Sequence, residues 1–280
     1  PSKLHADEVR NTTAIDTIVK PNVSGVVPLT NGLLGENTSH RLKVFERFSF
    51  DHLAARIKGA RTPSERIAAL RQGVMAVARL DGYCTRFSGA LLKFSPEFVG
   101  ERDQRQAQNL ELIGSRLKHL STDSHFDPTV YINDLRKLGI VYDLEEIFGH
   151  GDFNLEHVRA GPDGSESIKD FLTVIDLEDF GLYSHVEDIC DALMIRGVGT
   201  RTIIRHEEFP ALLERYLALE HAYRVHGDDA VANEVASYEN GVLQDHLRSE
   251  VKLNDQYFAD FVLGFHAHAI QKLLQFSVAH

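Results

Sequence analysis

The chain has 280 residues, of which 43% are hydrophobic and 25% are charged, so its composition is that of a globular protein large enough to bury a core. Its formal net charge of −11 argues against a broad basic face for nucleic acid and suits a cationic ligand. It has no apolar run of roughly 18 residues to span a bilayer and no signal peptide at its polar start, so we expect a cytoplasmic protein.

The first 50 residues have the pattern of one helix followed by a small antiparallel sheet. Apolar residues recur at helical spacing over 6–18, and strand-like segments follow over 19–31 and 40–50. Glycine, asparagine and serine over 32–39 predict the turn between these two strands.

From residue 51 onward the apolar period is helical. Thr62 followed by Pro63 is a helix start signal, and long helices are predicted from there, over 97–120 and over 131–148. Later helices are predicted over 187–197, 206–225, 228–249 and 256–276. A small sheet followed by a large helical body that carries one hairpin indicates an α+β fold with two lobes.

The two most informative stretches are HGDFNLEHV over His150–Val158 and VIDLEDFG over Val174–Gly181. Between them the turn-prone PDGSES and the apolar FLTVID predict a β-hairpin that brings Asp152 and Asp176 to one end. Phosphoryl transfer needs one carboxylate to orient or deprotonate a hydroxyl and another to hold Mg²⁺. The two aspartates fit these roles.

The simpler alternative is that Asp152 caps a loop, that Asp176 ends a buried strand, and that the two are unrelated. A second His-Gly-Asp at 226–228 lies in a polar, surface-like stretch with no strand after it, so the tripeptide alone is a weak signal. The combination with His157 and the strand ending in Ile-Asp favours the functional interpretation.

HGDFNLEHV and VIDLEDFGLYSHVEDICDAL together resemble the motifs of the aminoglycoside phosphotransferase and choline kinase family, where His-Gly-Asp-x4-Asn precedes a strand and Ile-Asp. The resemblance implies a protein-kinase-like fold of two lobes. It also implies a small-molecule kinase that uses Mg²⁺ and transfers the terminal phosphate of ATP or GTP to a hydroxyl of an antibiotic, amino alcohol or sugar-like substrate.

The resemblance also assigns roles to single residues. Asp152 would be the catalytic base, with His150 beside it in the catalytic motif, and Asp176 would chelate Mg²⁺. Asp188 would steady the catalytic loop from the following helix. His157 stands where the family usually has Asn as the second metal ligand, as in macrolide-phosphotransferase-like members. We expect His157 to keep that role, although Mg²⁺ prefers oxygen ligands.

The segment RLKVFERFSFDHL resembles the last N-lobe strand and the hinge that packs on adenine. On this interpretation residues 1–50 form an abbreviated N-lobe and hinge. Residues 51–280 form the helical C-lobe, which carries the catalytic loop and the metal-binding hairpin. The residues expected to bind the nucleotide are Glu46, Arg47, Phe48 and Lys3.

The start of the chain departs from the family pattern, because no G-x-G-x-x-G precedes the hinge. Lys3 is the candidate phosphate-binding lysine, with Glu8 or Asp16 as its partner, while Lys20 and Lys43 lie on the candidate strands. The chain also begins without Met. We therefore expect either a truncated or processed N-terminus, with upstream residues or a partner completing the N-lobe, or a divergent kinase with an abbreviated nucleotide cover.

Two other functions are compatible with these residues. A pseudokinase or regulatory module would bind nucleotide or another ligand without turnover, which the missing phosphate loop favours. A Mg²⁺-dependent phosphohydrolase would use the same carboxylates and would need no hinge. The intact pair Asp152 and Asp176 favours the kinase, with a small hydroxylated and cationic substrate and with neither nucleic acid nor membrane as partner.

Overall fold

The computed structural model of the chain describes residues 3–23, 33–37, 42–45, 52–120, 130, 146–159, 173–193, 209–228 and 255–276. In these ranges the protein is mostly helical with a small amount of sheet. The α-helices are α1 (Lys3–Ala14), α2 (Leu53–Gly59), α3 (Pro63–Arg86), α4 (Ser88–Phe94), α5 (Glu97–Leu120), α6 (Glu187–Leu193), α7 (Phe209–Val225) and α8 (Asp255–Phe276). Within the described ranges, no helix combines the length and the apolarity needed to cross a bilayer.

The strands of the described ranges form three antiparallel pairs, β1 with β2, β3 with β6, and β4 with β5. They are β1 (Leu33–Asn37), β2 (Leu42–Phe45), β3 (Glu146–Gly149), β4 (Val158–Arg159), β5 (Thr173–Val174) and β6 (Gly181–Ser184). The second and third pairs flank the two motif stretches, so the strands of the helical body serve chiefly to position those stretches.

Helix α3 begins at the predicted start signal. The Thr62 hydroxyl accepts a hydrogen bond from the Glu65 backbone N–H at 3.2 Å, and the Glu65 carboxylate accepts one from the Thr62 backbone N–H at 3.2 Å. This reciprocal capping box satisfies N–H groups that would otherwise lack partners at the helix start. Pro63 occupies the first turn, where its missing N–H does no harm.

The core of the helical body lies between α3 and α7, which approach each other most closely at Gly82. A Cβ atom at this position would lie 2.6 Å from the Glu220 carbonyl oxygen and 2.8 Å from the Tyr223 Cβ. Both distances are shorter than van der Waals contact, so glycine lets the two helix backbones come together. The buried tyrosines Tyr83, Tyr216 and Tyr223 pack around this crossing.

Several predicted elements are confirmed by the structure. Helices predicted over 6–18, 97–120 and 256–276 are present as α1, α5 and α8, and a small antiparallel sheet follows α1. Helices α6 and α7 lie within the predicted segments 187–197 and 206–225. The helix predicted over 228–249 lies outside the described residues, except for Asp228.

Three segments differ from their predicted structure. Residues 146–149 are strand β3 and not the end of a helix over 131–148, since a short buried apolar run has no period that separates strand from helix. Residues 19–22 continue α1 as π-helical and 3₁₀ turns, where a strand was predicted. Strand β1 lies at 33–37, inside the predicted turn, because these residues pair with β2. The register of this pairing is irregular between Leu33 and Gly35.

The aspartate of the second His-Gly-Asp is not on the surface, contrary to the expectation for its polar sequence, whereas His226 is exposed. Asp228 is buried and accepts two hydrogen bonds from the Arg79 guanidinium, at 2.9 and 3.0 Å. Its backbone N–H donates to the Tyr83 hydroxyl at 2.9 Å. The tripeptide therefore closes the end of α7 against α3 through an ion pair, which the sequence pattern does not reveal.

Candidate functional site

The two motif stretches are adjacent in space because the strands around them pair. Strand β3 ends just before the first stretch and pairs with β6, which follows the second. In the hairpin β4 pairs with β5, and the Ile175 backbone N–H donates to the His157 carbonyl at 3.0 Å. The predicted hairpin is confirmed, and His157 contacts both the Asp152 carbonyl and the Asp176 carboxylate.

His150 supports the loop that carries Asp152. Its Nε2 lies 2.8 Å from the Ile175 carbonyl oxygen, which can only accept, so this nitrogen carries the ring proton. The Asp152 backbone N–H donates to the other ring nitrogen at 3.4 Å. The ring is fully buried, and both nitrogens are bound by backbone groups. The structure thus places His150 as a link between the Asp152 loop and the end of β5.

Asp188, near the start of α6, holds the backbone of the same loop. Its carboxylate accepts hydrogen bonds from the backbone N–H groups of His150 and, at 2.8 Å, of Gly151. Gly151 has φ of +85°, and a Cβ there would clash with the Tyr183 ring and the Asp179 carbonyl oxygen. Glycine is therefore required to turn the chain between His150 and Asp152.

A chain of hydrogen bonds fixes the proton of His157. The Asn154 side-chain oxygen accepts from the Glu156 backbone N–H at 2.8 Å, which leaves the Asn154 amide nitrogen to face His157 Nε2 at 3.1 Å. Because the amide nitrogen donates, Nε2 accepts and the proton sits on Nδ1, which donates to the Asp152 carbonyl at 3.1 Å. Burial, with the neighbouring His150, lowers the pKa of His157, although Asp176 and Asp152 oppose that shift.

Asp176 Oδ2 lies 3.3 Å from His157 Nε2, the same nitrogen that accepts a hydrogen bond from Asn154. Around a Mg²⁺ ion with ligands at about 2.1 Å, neighbouring ligand atoms lie about 3 Å apart. The two side chains therefore fit adjacent positions around such an ion. In the described part of the chain, no group of three or more His, Cys, Asp or Glu side chains is arranged so that it could hold a metal ion. The pair fits a metal whose other ligands are phosphate oxygens and water.

Asp176 has an unusual backbone conformation. Its φ is +67°, and among the described residues other than glycine it alone has a positive φ. Aspartate tolerates this region better than bulky residues, and residues held there cluster at functional sites. The Asp176 side chain is 43% exposed, so it remains open to a ligand from solvent.

The loop after Asp176 adds negative charge next to Asp152. Burial, followed by the charge of Asp152, raises the pKa of Asp179, while Arg105 on α5 opposes the shift. The Arg105 guanidinium lies over the Tyr183 ring at 4.4 Å and donates to the Leu182 carbonyl at 3.2 Å. The Tyr183 hydroxyl in turn donates to the Asp179 carbonyl. Arg105 therefore stabilises this acidic loop through its contacts with Leu182 and Tyr183. Its position in a charged helix did not indicate this role.

Sequence reasoning missed Asn11, which lies in α1 and is fully buried. Its side-chain nitrogen donates to the carbonyl oxygens of Leu177 at 2.8 Å and of Glu178 at 3.1 Å. The residues that follow the candidate ligand Asp176 are thus hydrogen-bonded to a helix more than 160 positions earlier in the chain. The one signal in the sequence is an asparagine inside a helix, where this residue type is a weak helix former.

The candidate nucleotide-binding residues are Glu46, Arg47, Phe48 and Lys3. Glu46, Arg47 and Phe48 lie outside the described residues. Lys3 is the first residue of α1. Lys20 is not on a strand, as predicted, but in a 3₁₀ turn, where its ammonium lies 3.4 Å from Asp16.

The comparisons with known proteins give one informative similarity. Neither the protein-family models nor the curated proteins give a match to the chain. Among solved structures, the chain is similar to an ethanolamine kinase from Plasmodium vivax, with a TM-score of 0.51 and 10% sequence identity over 97% of this chain and 73% of that one. At this identity the likeness concerns the fold. The chain thus shares the fold of this ethanolamine kinase structure.

Proposed function

We propose that the protein is a small-molecule kinase that transfers the terminal phosphate of ATP or GTP to a hydroxyl group. The observation that carries this proposal is the meeting of three groups on a kinase-like fold: the Asp152 loop, the His157 ring and the Asp176 carboxylate. A loop aspartate beside a separate pair of metal-binding side chains is the division of labour that phosphoryl transfer requires.

Among the substrate classes, amino alcohols have the best support. The similar solved structure is an ethanolamine kinase, and its substrate class carries both a hydroxyl and a cationic nitrogen. This chain has a net charge of −11, and the loop after Asp176 places Asp179, which follows Glu178 in the sequence, near Asp152. Negative charge of this kind attracts a cationic acceptor and orients its ammonium group. Antibiotics and sugar-like alcohols are the other classes to test.

In the proposed mechanism Asp152 accepts the proton of the attacking hydroxyl. A base for this step must lie within hydrogen-bond reach of the hydroxyl and must be ionised. Asp152 is partly exposed at the end of a loop, where an acceptor can reach it. The His150 ring and the Asp188 carboxylate hold the backbone of that loop, so the carboxylate is presented without rearrangement.

His157 and Asp176 would hold Mg²⁺, and their donor atoms fit that ion together with phosphate oxygens. When bound, Mg²⁺ supplies positive charge that offsets the charge developing on the transferred phosphate. His157 is suited to this role because its proton is fixed on Nδ1, so the lone pair of Nε2 would bind the ion in place of the Asn154 amide hydrogen that it now accepts. Asp176 supplies the anionic oxygen that Mg²⁺ prefers.

We place the adenine or guanine at a hinge formed by Glu46, Arg47 and Phe48, at the junction of a small N-lobe (1–50) and the helical C-lobe (51–280). The support for this placement is the resemblance of the segment to a kinase hinge and the strand β2 that leads into it. Lys3 is the proposed phosphate contact.

The test is a transfer assay with radiolabelled ATP and GTP against a panel of amino alcohols, aminoglycosides, macrolides and sugars, with and without Mg²⁺. Transfer to one acceptor class, dependent on Mg²⁺, would support the kinase. Nucleotide binding in calorimetry without transfer to any acceptor would favour a binding module. Release of free phosphate that does not depend on any acceptor would favour a phosphohydrolase.

A further inference from the structure

Asp81 on α3 is a fully buried acid surrounded by other acids. Its Oδ2 accepts a hydrogen bond from the Tyr216 hydroxyl at 2.6 Å. Its Oδ1 is buried and receives no hydrogen bond from any N–H or hydroxyl group of the described residues. A buried carboxylate oxygen without a donor is costly, so its true partner has to be found.

The partner is the carboxylate of Asp188. The two carboxyl groups meet over Gly149, where a Cβ atom would touch an Asp188 oxygen and lie 3.5 Å from Asp81 Oδ1. They are close enough to share a hydrogen bond. Two carboxylates cannot both be ionised at such a distance in a buried site, so one of them carries a proton.

The surroundings decide which carboxyl group is protonated. Asp188 accepts hydrogen bonds from two backbone N–H groups, which favour its charged form. Asp81 receives only the Tyr216 hydroxyl bond, and burial, followed by the charge of Asp188, raises its pKa well above the ordinary range. The other titratable groups facing Asp81 are Cys84 on its own helix and Glu220 on α7, and neither is a cation.

We propose that Asp81 is a neutral carboxylic acid that donates a hydrogen bond to ionised Asp188 and thereby positions the loop of His150 and Asp152. Asp81 is a positioning residue, since it acts on the loop through Asp188. In this series of hydrogen bonds, the Tyr216 hydroxyl donates to Asp81 and Asp81 donates to Asp188. Asp188 in turn accepts from the backbone N–H groups of the loop. The protonation state of Asp81 does not depend on the proposed kinase activity. The effect of Asp81 on turnover does rest on that proposed function.

The decisive experiment compares the unfolding equilibrium of the wild-type chain with that of Asp81→Asn in urea, between about pH 5 and 7. An aspartate in the unfolded chain has a pKa of about 3.9, so a protonated Asp81 takes up one proton on folding. Its folded pKa is raised above the unfolded value, so its contribution to stability is lost as pH rises. The unfolding constant of the wild type relative to Asp81→Asn should therefore rise about tenfold per pH unit.

Asp228→Asn is the matched control. Asp228 is also buried, but its two oxygens are bound by the Arg79 guanidinium and not by another acid, so Asp228→Asn removes a buried carboxyl group without breaking a pair of acids, and no tenfold change per pH unit is expected. A pH-independent ratio for Asp81→Asn as well would overturn the proposal. Should Asp81→Asn fail to fold, the NMR chemical shift of the Asp81 carboxyl carbon in ¹³C-labelled wild type decides. The value of a neutral carboxylic acid at neutral pH is expected, and the value of an ionised carboxylate would overturn the proposal.

The positioning role has its own readout. In Asp81→Asn the amide can accept from Tyr216 and donate to Asp188, so turnover should stay within about threefold of wild type. Asp81→Ala leaves both partners unsatisfied, and we expect kcat to fall by about tenfold or more. Equal losses in the two variants would overturn the positioning role. If the wild type transfers no phosphate, the proposed function fails, but the unfolding and resonance measurements still decide the protonation state.

Discussion

The side-chain nitrogen of Asn11 lies 2.8 Å from the carbonyl oxygen of Leu177, so helix α1 holds the residue that follows the proposed metal ligand Asp176. The Asn11 oxygen accepts from the Arg10 guanidinium at 3.0 and 3.1 Å, which fixes the orientation of the amide. Arg10 is itself held by a bidentate ion pair with Glu101 at 2.7 and 2.9 Å. Glu101 on α5, Arg10 and Asn11 on α1 thus form a relay of hydrogen-bonded side chains that ends at the loop after Asp176.

Asn11→Asp should weaken Mg²⁺-dependent nucleotide binding. The carboxylate keeps the shape of the amide but cannot donate, so two buried carbonyls lose their partner and face a negative charge. Each such loss amounts to about 1–3 kcal/mol, and we expect Mg²⁺-dependent affinity to fall by roughly tenfold or more. Calorimetric titration of nucleotide with and without Mg²⁺ measures it. Asn22→Asp is the control, because the Asn22 side chain is exposed and bonds only the Ile18 carbonyl; equal losses in both would refute the relay.

Asp152→Asn should abolish most of the transfer activity and leave nucleotide binding nearly unchanged. Loss of a general base lowers turnover by about 10²–10⁴-fold, while the nucleotide is held elsewhere. The comparison is Glu156→Gln on the same loop, an exposed acid whose contact with Lys58 is a surface ion pair at 3.4 Å. Near-normal turnover in Asp152→Asn would remove Asp152 from the mechanism.

His157 and Asp176 should differ in their effect on metal preference. Asp176→Asn deletes a charged oxygen ligand and should raise the Mg²⁺ concentration needed for nucleotide binding by an order of magnitude. His157→Asn replaces a nitrogen donor by an oxygen donor, so Mg²⁺-supported activity should persist while the relative affinity for Mn²⁺ and Co²⁺ falls. Metal titrations of activity in each variant measure both effects. An unchanged ratio of the three metals in His157→Asn would show that the ring is not a ligand.

The buried ion pair of Arg79 with Asp228 should be essential for stability. Removing one partner of a buried pair leaves an uncompensated charge and costs about 3–5 kcal/mol. Arg79→Met should therefore lower the free energy of unfolding by this amount, measured in urea. The double variant Arg79→Met with Asp228→Leu should recover part of the loss, because it leaves no charge behind. Simple additivity of the two single losses would contradict the interpretation.

His185 should make the protein less stable in mild acid. Burial, followed by the charge of Arg224, lowers its pKa to about 3, compared with about 6.5 in an unfolded chain. The folded pKa is lower than the unfolded one, so stability is full above about pH 6.5 and is lost as pH falls, by about tenfold in the unfolding constant per pH unit. His185→Asn keeps an acceptor for the Tyr257 hydroxyl, 3.1 Å from Nδ1, and should lose this dependence. Parallel pH profiles of the two proteins would exclude His185.

The sequence was sufficient for the helices with clear caps and for the hairpin, because these depend on local chemistry such as the Thr62 capping box. It also singled out Asp152, Asp176 and Asp188 as candidates, and their roles remain predictions. It could not identify Asn11 or Asp81, because their roles arise from partners more than 100 residues away. The misplaced strands β1 and β3 have the same cause: short segments take their structure from pairing and not from their own period.

The hairpin that joins His157 to Asp176 is closed by two residue pairs, Val158 with Val174 and Arg159 with Thr173. The separation of the candidate ligands His157 and Asp176 is therefore set at the base of the hairpin, next to these paired strand residues. Each doubling of loop length costs only about 0.6 kcal/mol of closure entropy, so we expect the separation of the two candidate ligands to depend on these residue pairs more than on the number of residues between them. An insertion between the two strands should therefore leave the two candidate ligands in place, which makes this part of the sequence a position at which to introduce a fluorescent reporter beside the site.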